Sequence, residues 1–185
     1  GDSLGEAFYK GNEATWNDIA NHRDLMLVDD MRYKEICDKL VKLLDDKSPR
    51  VKTTILRHGA GSGGTTLSKR ILWDFREQFP CARLKKYSIQ TASILAEIYQ
   101  RTGKCILLSV ESGSTVISDE ELNKLKKAVD AENGRLVVLL VKRIRNDNSA
   151  LRDEKSAILE SLGDTMPIEP IAREFLRSFS AYAEK

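Results

Sequence analysis

The sequence has no long apolar run, no excess of one charge and no signal segment, and each absence excludes a class of protein. No apolar stretch approaches the roughly 20 residues that a helix needs to span a bilayer, and Gly1-Asp2-Ser3 does not open a basic and apolar leader. The 30 basic and 28 acidic residues nearly cancel, so charge alone nominates no partner. We therefore expect a cytoplasmic protein with no membrane partner, and we do not expect this part of the chain to bind nucleic acid.

Cysteine is scarce, and internal repeats and low-complexity tracts are absent. Cys37, Cys81 and Cys105 are an odd number without the pair spacing of a metal site. We expect them to be buried thiols in a reducing compartment. With 185 residues and 41% apolar content, the chain has the size and composition of one domain with a buried core.

We expect this domain to be part of a longer protein, because the chain begins without a methionine and stops within a charged helical pattern. Residues 1–48 predict an N-terminal arm, irregular up to residue 30, and a first helix over 31–44 that packs on the core. Lys47-Ser48-Pro49 ends that helix. Residues 49–185 predict the core itself.

The most specific motif is the glycine-rich stretch over 59–66. A standard phosphate-binding P-loop reads Gly, four residues, Gly-Lys-Ser/Thr. Gly59 and Gly64 keep the glycine spacing, and Thr66 stands at the position of the magnesium-binding hydroxyl. Thr65 stands where the standard motif has lysine. A β-prone run, residues 53–58, precedes this loop and an apolar helix face follows it, which is the order that a P-loop requires.

A loop of this kind would hold a polyphosphate with its backbone. Glycines allow the N–H groups of residues 60–66 to turn inward, and the following helix adds the positive end of its dipole. Because Thr65 brings no charge, we expect weaker affinity and weaker catalysis than in a full P-loop. The alternative is a glycine-rich turn that caps a helix and holds no ligand. The predicted binding residues for ATP or GTP are Gly59, Gly61, Ser62, Gly63, Gly64, Thr65 and Thr66.

Alternating apolar patterns predict an α/β fold with a mostly parallel, five-stranded P-loop NTPase sheet and helices on both faces. The predicted strands are 53–58, 82–88, 104–110, 136–141 and 166–168. The predicted helices cover 67–79, the region of 94–98, 119–132, 151–162 and the residues after Pro170. Ligands bind beyond the carboxyl ends of such strands, and the glycine loop, Glu111 and Lys142-Arg143 all fall at predicted carboxyl ends.

Two residues at strand ends are candidates for catalytic roles. Glu111 is a candidate Walker B acid, which would orient Mg²⁺ together with Thr66. The next residue is Ser112, so the second carboxylate that often activates water is absent from position 112. We therefore expect slow or absent hydrolysis. Arg143 is a candidate sensor of the γ-phosphate that would partly replace the missing lysine charge. Either residue could equally be an ordinary solvated strand end.

Other polar and aromatic residues have a structural interpretation that we prefer. Lys69 and Arg70 could supply the missing phosphate contact, but a surface face of the helix is favoured. His58 could bond a phosphate, but holding the loop backbone is favoured. Trp16 could stack on a nucleotide base, although core packing of the arm is the better interpretation. The basic clusters around residues 124–127 and 143–145 contain no aromatics and indicate a solvated surface.

The glycine motif also resembles a known family. The segment 58–67, followed by Ile71-Leu72-Trp73-Asp74 and Phe79-Pro80-Cys81-Ala82, is similar to the P-loop region of STAND-type NTPases. It most resembles the large sterile-alpha-motif-containing antiviral proteins and their bacterial relatives, which share the Gly-Gly-Thr-Thr ending. The segments Phe8-Tyr9-Lys10-Gly11 and Thr15-Trp16 resemble the region before the P-loop in the bacterial proteins.

This resemblance implies a nucleotide-controlled switch in an innate-immune or antiphage signalling protein, with sensor and effector domains elsewhere. The implied partners are ATP or GTP with Mg²⁺, other domains of the same protein and further copies of it. Slow or absent hydrolysis still suits a switch, because a switch needs only different affinities for two conformations. One alternative is a pseudo-NTPase that acts as an interaction scaffold with an empty loop. Another is a small-molecule phosphotransferase, although the arginine lid of such enzymes is not evident.

Overall fold

A parallel sheet of four strands forms the centre of the computed structural model, which describes residues 13–21, 31–58 and 63–143. The strands are β1 (Val51–His58), β2 (Cys81–Arg83), β3 (Ile106–Glu111) and β4 (Leu136–Arg143). Their order across the sheet is β1-β4-β3-β2, and each neighbouring pair is parallel. The prediction of a parallel α/β sheet is therefore confirmed. The predicted fifth strand and the two helices predicted on either side of it lie outside the described residues.

Helices cover both faces of this sheet. They are α1 (Trp16–Ala20), α2 (Met31–Asp45), α3 (Gly64–Phe75), α4 (Thr91–Thr102) and α5 (Asp119–Ala131). Because side chains alternate along a strand, odd-numbered residues of β3 and β4 pack against α2 and α3, and even-numbered ones pack against α4 and α5. The buried apolar side chains therefore form two clusters, one on each face of the sheet.

Strand β4 is central, as its apolar run predicts. It pairs with β1 on one side and β3 on the other, and residues 136–139 have no exposed surface. A strand covered on both faces and both edges needs a continuous apolar sequence. Strand β2 lies at the edge and is only three residues long, so the predicted span of 82–88 is too long. The exposed Lys85 and Lys86 follow it, and such charges are typical of a sheet edge.

Local capping signals set the start of α5. The Ser118 hydroxyl accepts a bond from the Glu121 N–H at 3.2 Å, and the Glu121 carboxylate accepts one from the Ser118 N–H at 2.8 Å. This reciprocal pair is the predicted capping box. Helix α3 differs from its prediction because it ends at Phe75, and Phe79 reaches the core from the turn that follows, with its ring centroid 6.2 Å from that of Phe75.

Two basic side chains hold the carboxyl end of α2 against the sheet. Arg135 Nη2 donates to the carbonyl oxygens of Leu44 and Asp46 at 3.0 and 2.9 Å. Lys52 Nζ donates to Leu43 O at 3.1 Å and to Asp46 O. Cations at this end satisfy carbonyls that have no partner within the helix and also favour its dipole. The end of α2 is thereby fastened to the starts of β1 and β4.

The three cysteines are free thiols. Cys105 is buried as expected, whereas Cys37 and Cys81 are half-buried. Burial raises the pKa of Cys81 to about 12 and, as the largest cause, that of Cys37 to about 11. Among the residues described, no helix combines the length and apolar character that crossing a membrane would require.

Candidate functional site

Helix α3 begins with a backbone conformation that only glycine adopts readily. Gly63 is its N-cap, with φ of +76°, and it makes no side-chain capping bond. A left-handed φ is strained for residues that carry a Cβ. The first N–H groups of a helix have no partner within it, and an N-terminus without a side-chain cap is suited to bind an anion. Gly59, Ala60, Gly61 and Ser62 lie outside the described residues.

Gly64 is needed for packing as well. A Cβ at this position would lie 2.1 Å from Cγ and 2.7 Å from Cβ of His58, the last residue of β1. Those atoms are close to the His58 backbone, so they cannot move aside cheaply. The end of β1 and the start of α3 therefore approach so closely that position 64 excludes a side chain. This contact agrees with the structural role that we favoured for His58.

The next two residues place hydroxyl groups in the first turn of α3. Thr65 and Thr66 are both half-buried, and no acidic residue stands in that turn. The turn is closed by a bond from the Leu67 N–H to Gly63 O at 2.8 Å, and the Ser68 hydroxyl donates to Thr65 O at 2.8 Å. An anion near this turn would therefore meet N–H and hydroxyl groups without meeting a carboxylate of the same turn.

The predicted strand-end residues lie along one edge of the sheet. Since β1, β3 and β4 are parallel, His58, Glu111 and Arg143 all stand at carboxyl ends. His58 is in register with Arg143, and Glu111 is in register with Val141, so β4 separates the strand of Glu111 from the strand that enters the glycine loop. Arg143 is exposed and Lys142 is half-buried. Their proposed roles toward a nucleotide remain predictions.

Glu111 has a basic partner that the sequence did not suggest. Arg83 Nη2 lies 2.9 Å from Glu111 Oε1, and the side chains are 16% and 32% exposed. The same Nη2 atom lies 3.0 Å from Oε1 of Glu13 in the N-terminal segment. Arg83 is thus shared between two carboxylates that are far apart in the sequence, one in the N-terminal segment and one at the end of β3.

Lys69 and Arg70 are buried, so the interpretation of both as a surface face was wrong. Their residue exposures are 4% and 0%. Lys69 Nζ donates to Ala14 O at 2.7 Å and pairs with Glu13 Oε2 at 3.2 Å. Arg70 Nη2 donates to Ile19 O at 2.7 Å. Buried cations need such partners, and here the partners fasten residues 13–20 to α3.

We refer to Lys69, Glu13, Arg83 and Glu111 as the ion-pair chain. Positive and negative groups alternate along it, from helix α3 to the end of β3. Burial raises the pKa of Glu13, but hydrogen bonds and charge from Arg83 and Lys69 lower it by more, so the net pKa is below its ordinary value. Glu13 is therefore an ionised link between the N-terminal segment and the candidate site.

The N-terminal segment also contains a short helix where an irregular arm was expected. Thr15 and Asp18 form a capping box, and Ile19 of α1 is fully buried. The spacing of Thr15 and Asp18 was the signal that could have predicted it. Trp16 is 38% exposed, so the expected core role belongs to Ile19.

Trp16 borders a cavity of about 260 Å³ with Trp73, Arg76 and Arg83. The Arg76 guanidinium lies 3.8 Å from the centroid of the Trp73 ring. Trp73 is nine residues after Gly64, which corresponds to about 14 Å along a helix axis. The cavity is therefore displaced from the start of α3, where the predicted phosphate site lies.

Comparison with protein families identifies the domain type. The family model described as novel STAND NTPase 5 matches residues 6–155. The chain belongs to this family. The prediction of a STAND-type NTPase domain is therefore confirmed, and with it the general expectation of an NTPase-type fold.

Curated relatives of this STAND NTPase domain include three large proteins. It is 26% identical over 187 residues to mouse sterile alpha motif domain-containing protein 9-like, a match that covers 89% of the chain and 12% of the relative. It is 30% identical over 94 residues to human sterile alpha motif domain-containing protein 9, covering 48% of the chain and 6% of the relative. The human 9-like protein is 31% identical over 98 residues, with 50% and 6% covered. The chain thus spans about an eighth or less of each relative's length.

One solved structure with similarity to this STAND NTPase domain is described as Drosophila ORC bound to DNA. The TM-score is 0.44 at 15% identity, and the alignment covers 80% of this chain and 44% of that one.

The described residues of this STAND NTPase domain contain no group of three or more His, Cys, Asp or Glu side chains arranged to hold a metal ion. Thr66 and Glu111 remain the predicted protein contributions to such a site.

Proposed function

We propose that this domain is a nucleotide-binding switch that binds ATP or GTP with Mg²⁺ and hydrolyses it slowly or not at all. The observation that carries the proposal is the start of α3. A left-handed Gly63 without a side-chain cap follows a parallel strand at its carboxyl edge, and Glu111 stands at the same edge of the sheet. Membership of the STAND NTPase family supports the assignment of a nucleotide as the anion.

The backbone N–H groups of residues 60–66 would surround the phosphates, with the dipole of α3 adding positive potential. Thr66 and Glu111 would contribute to holding Mg²⁺, which supplies charge neutralisation when bound. Neither role needs a lysine in the loop. The neutral Thr65 nevertheless predicts lower affinity than that of a standard P-loop, because one positive charge near the phosphates is missing.

Weak or absent hydrolysis is supported by the residues around Glu111. The next residue is Ser112, whose N–H bonds Val141 O at 2.9 Å, so no second carboxylate stands at that position to activate water. Arg83 already forms an ion pair with one carboxylate oxygen of Glu111. Arg143, the candidate sensor of the γ-phosphate, is exposed. These features favour holding a nucleotide over turning it over.

We further propose that the domain operates in the cytoplasm within an immune or antiphage signalling protein. Its relatives carry a sterile alpha motif in their names and are several times longer than this chain. Neighbouring domains and further copies of the protein are the partners through which a change of nucleotide state would act. In this scheme the present domain would be the switch element, and a sensor and an effector would belong to other domains.

A second candidate is an interaction scaffold with an empty loop. Two observations favour it, namely the missing lysine at position 65 and the Arg83 guanidinium that already neutralises Glu111. The two candidates differ in one measurable property, because only the switch binds a nucleotide in a way that depends on magnesium and on Thr66.

Calorimetric titration with ATP or GTP, with magnesium and with EDTA, tests the proposal. Thr66→Val removes the hydroxyl at nearly constant shape, and we expect it to reduce the magnesium-dependent affinity about tenfold, roughly the worth of one charge-assisted hydrogen bond. Thr53→Val is the matched control, since Thr53 lies on β1 with its hydroxyl near Lys126 Nζ at 3.4 Å. Absence of binding by the unaltered chain would favour the scaffold.

A further inference from the structure

Glu111, the candidate magnesium ligand, shares the guanidinium group of Arg83 with a second carboxylate, that of Glu13. Arg83 Nη2 is 2.9 Å from Glu111 Oε1 and 3.0 Å from Glu13 Oε1. A guanidinium NH₂ group has two hydrogens, so it can serve both oxygens at once. Arg83 Nη1 adds a longer contact to Glu13 Oε2 at 3.4 Å. Neither carboxylate has Arg83 to itself.

Glu13 is in turn joined to the body of the domain by Lys69. The Lys69 side chain is only 6% exposed and pairs with Glu13 at 3.2 Å. Its donation to Ala14 O fixes the ammonium group beside the N-terminal segment. The segment then continues into α1, whose Ile19 carbonyl is bound by the buried Arg70. The Glu13 carboxylate is thus the connection between the docked segment and the group that holds Glu111.

A divalent cation near Glu111 would change the balance between these two pairs. It would repel Arg83 and compete for the oxygen that Arg83 binds, and Arg83 would then depend more on Glu13. The relation is reciprocal, because an ionised Glu13 draws Arg83 away from Glu111 and makes Glu111 easier for the cation to approach.

We infer that Arg83 and Glu13 are positioning residues that set how readily Glu111 assists magnesium-dependent nucleotide binding. Docking of residues 13–21 and filling of the site are consequently coupled. This inference rests on the proposed function and adds to it a regulator, the N-terminal segment. Since Glu111 and Glu13 are both partly exposed to solvent, we expect a modest coupling of about fivefold.

The two variants that break the chain on either side of Arg83 have opposite expected effects. Glu13→Gln leaves Glu111 as the carboxylate partner of Arg83 in the ion-pair chain, so Glu111 is held more firmly. Arg83→Gln releases Glu111. A merely structural role for the chain would instead give both variants the same sign, because each loosens the segment.

The quantity to measure is the magnesium increment, defined as the nucleotide affinity with magnesium divided by the affinity in EDTA. This ratio cancels the general effect of adding or removing one charge near an anionic ligand. We expect Glu13→Gln to lower the increment about fivefold and Arg83→Gln to raise it about fivefold. In the Arg83→Gln background, Glu13→Gln should have no further effect, since the competition no longer exists.

Glu97→Gln and Arg101→Gln are the matched controls. These residues form an exposed ion pair on α4, with Arg101 Nε 2.8 Å from Glu97 Oε1. Each control makes the same chemical change as its test variant, and neither residue belongs to the ion-pair chain. Their increments should equal that of the unaltered chain.

Hydrogen exchange of residues 13–21 provides a readout that does not depend on affinity. Magnesium and nucleotide together should slow exchange in the unaltered chain and leave it unchanged in Glu13→Gln. If the unaltered chain binds nucleotide but both variants shift the increment in one direction, or neither shifts it, the inference is overturned and the proposed function stands. If the unaltered chain binds no nucleotide, both are overturned.

Discussion

Restoring the lysine of a standard P-loop should strengthen nucleotide binding while weakening the empty domain. The substitution is Thr65→Lys, in the first turn of α3, where the present side chain is half-buried and no acidic residue stands nearby in the turn. The new ammonium group would have no carboxylate of its own turn to compete with a phosphate. It would, however, lie at the positive end of the helix dipole.

The size of the effect follows from charge and exposure. Two unit charges 4 Å apart interact by about 4 kcal/mol at an effective dielectric constant near 20. Solvent screening at a half-buried position reduces this to about 1–2 kcal/mol, which is roughly a 5- to 30-fold gain in affinity. The unfavourable helix dipole should cost the empty domain about 0.5 kcal/mol of stability.

Calorimetric titration with ATP or GTP and urea denaturation of the empty domain measure these two effects. The expected pattern is tighter binding together with a slightly lower free energy of unfolding. An unchanged or weaker affinity in a variant that remains folded would refute the idea that position 65 lies beside the phosphates. Lys69 cannot supply this charge without leaving Ala14 O and Glu13.

Three further predictions concern the core, the loop and the thiols. Thr54→Val should raise the free energy of unfolding by about 1 kcal/mol in urea denaturation, because the Thr54 hydroxyl is buried and has no hydrogen-bond partner among the described residues; a clear decrease would contradict this. Gly64→Ala should be destabilising in the unaltered chain and much less so with His58→Gly, because the added Cβ meets both the ring and the Cβ of His58; equal costs in both backgrounds would exclude this contact as the cause. Because burial raises the pKa of Cys81 to about 12, its alkylation by iodoacetamide at pH 8 should be about 1000-fold slower than that of a free cysteine; comparable rates would contradict it.

Those elements whose signals are local could be predicted from the sequence. The run over 136–141 specifies a strand buried on all sides, and β4 is that strand. The Ser118 and Glu121 pair specifies where α5 begins. The apolar run lies wholly within β4, and the capping box joins residues three positions apart. A short window of sequence therefore contains the necessary signal in both cases.

Strand β2 shows where local signals fail. Its β-prone sequence continues beyond Arg83, but β3 provides a partner for only three of its residues. The length of an edge strand depends on its single neighbour, and the identity of that neighbour is not evident from the residues of the strand itself. A prediction from local preferences therefore makes the strand too long.

The ion-pair chain could not be predicted because its members are far apart in sequence. Glu13 and Arg83 are separated by 70 positions, and Lys69 contacts Ala14 across 55. Cations in a helix normally indicate a solvated face, but Lys69 and Arg70 of α3 are buried and bond carbonyl groups of residues 13–20. The glycine spacing, in contrast, predicted that a helix follows the glycine loop, although α3 begins at Gly64, three residues before the predicted start.

Backbone NMR of the isotopically labelled chain, titrated with magnesium and ATP or GTP, tests the central claim most directly. The proposed function predicts saturable shifts that are largest for the amides of residues 59–66, with smaller ones near Glu111. Shifts concentrated around Trp16 and Trp73 would instead place the ligand in the cavity at the far end of α3 and contradict the proposed phosphate site. The absence of any shift would contradict nucleotide binding by this domain.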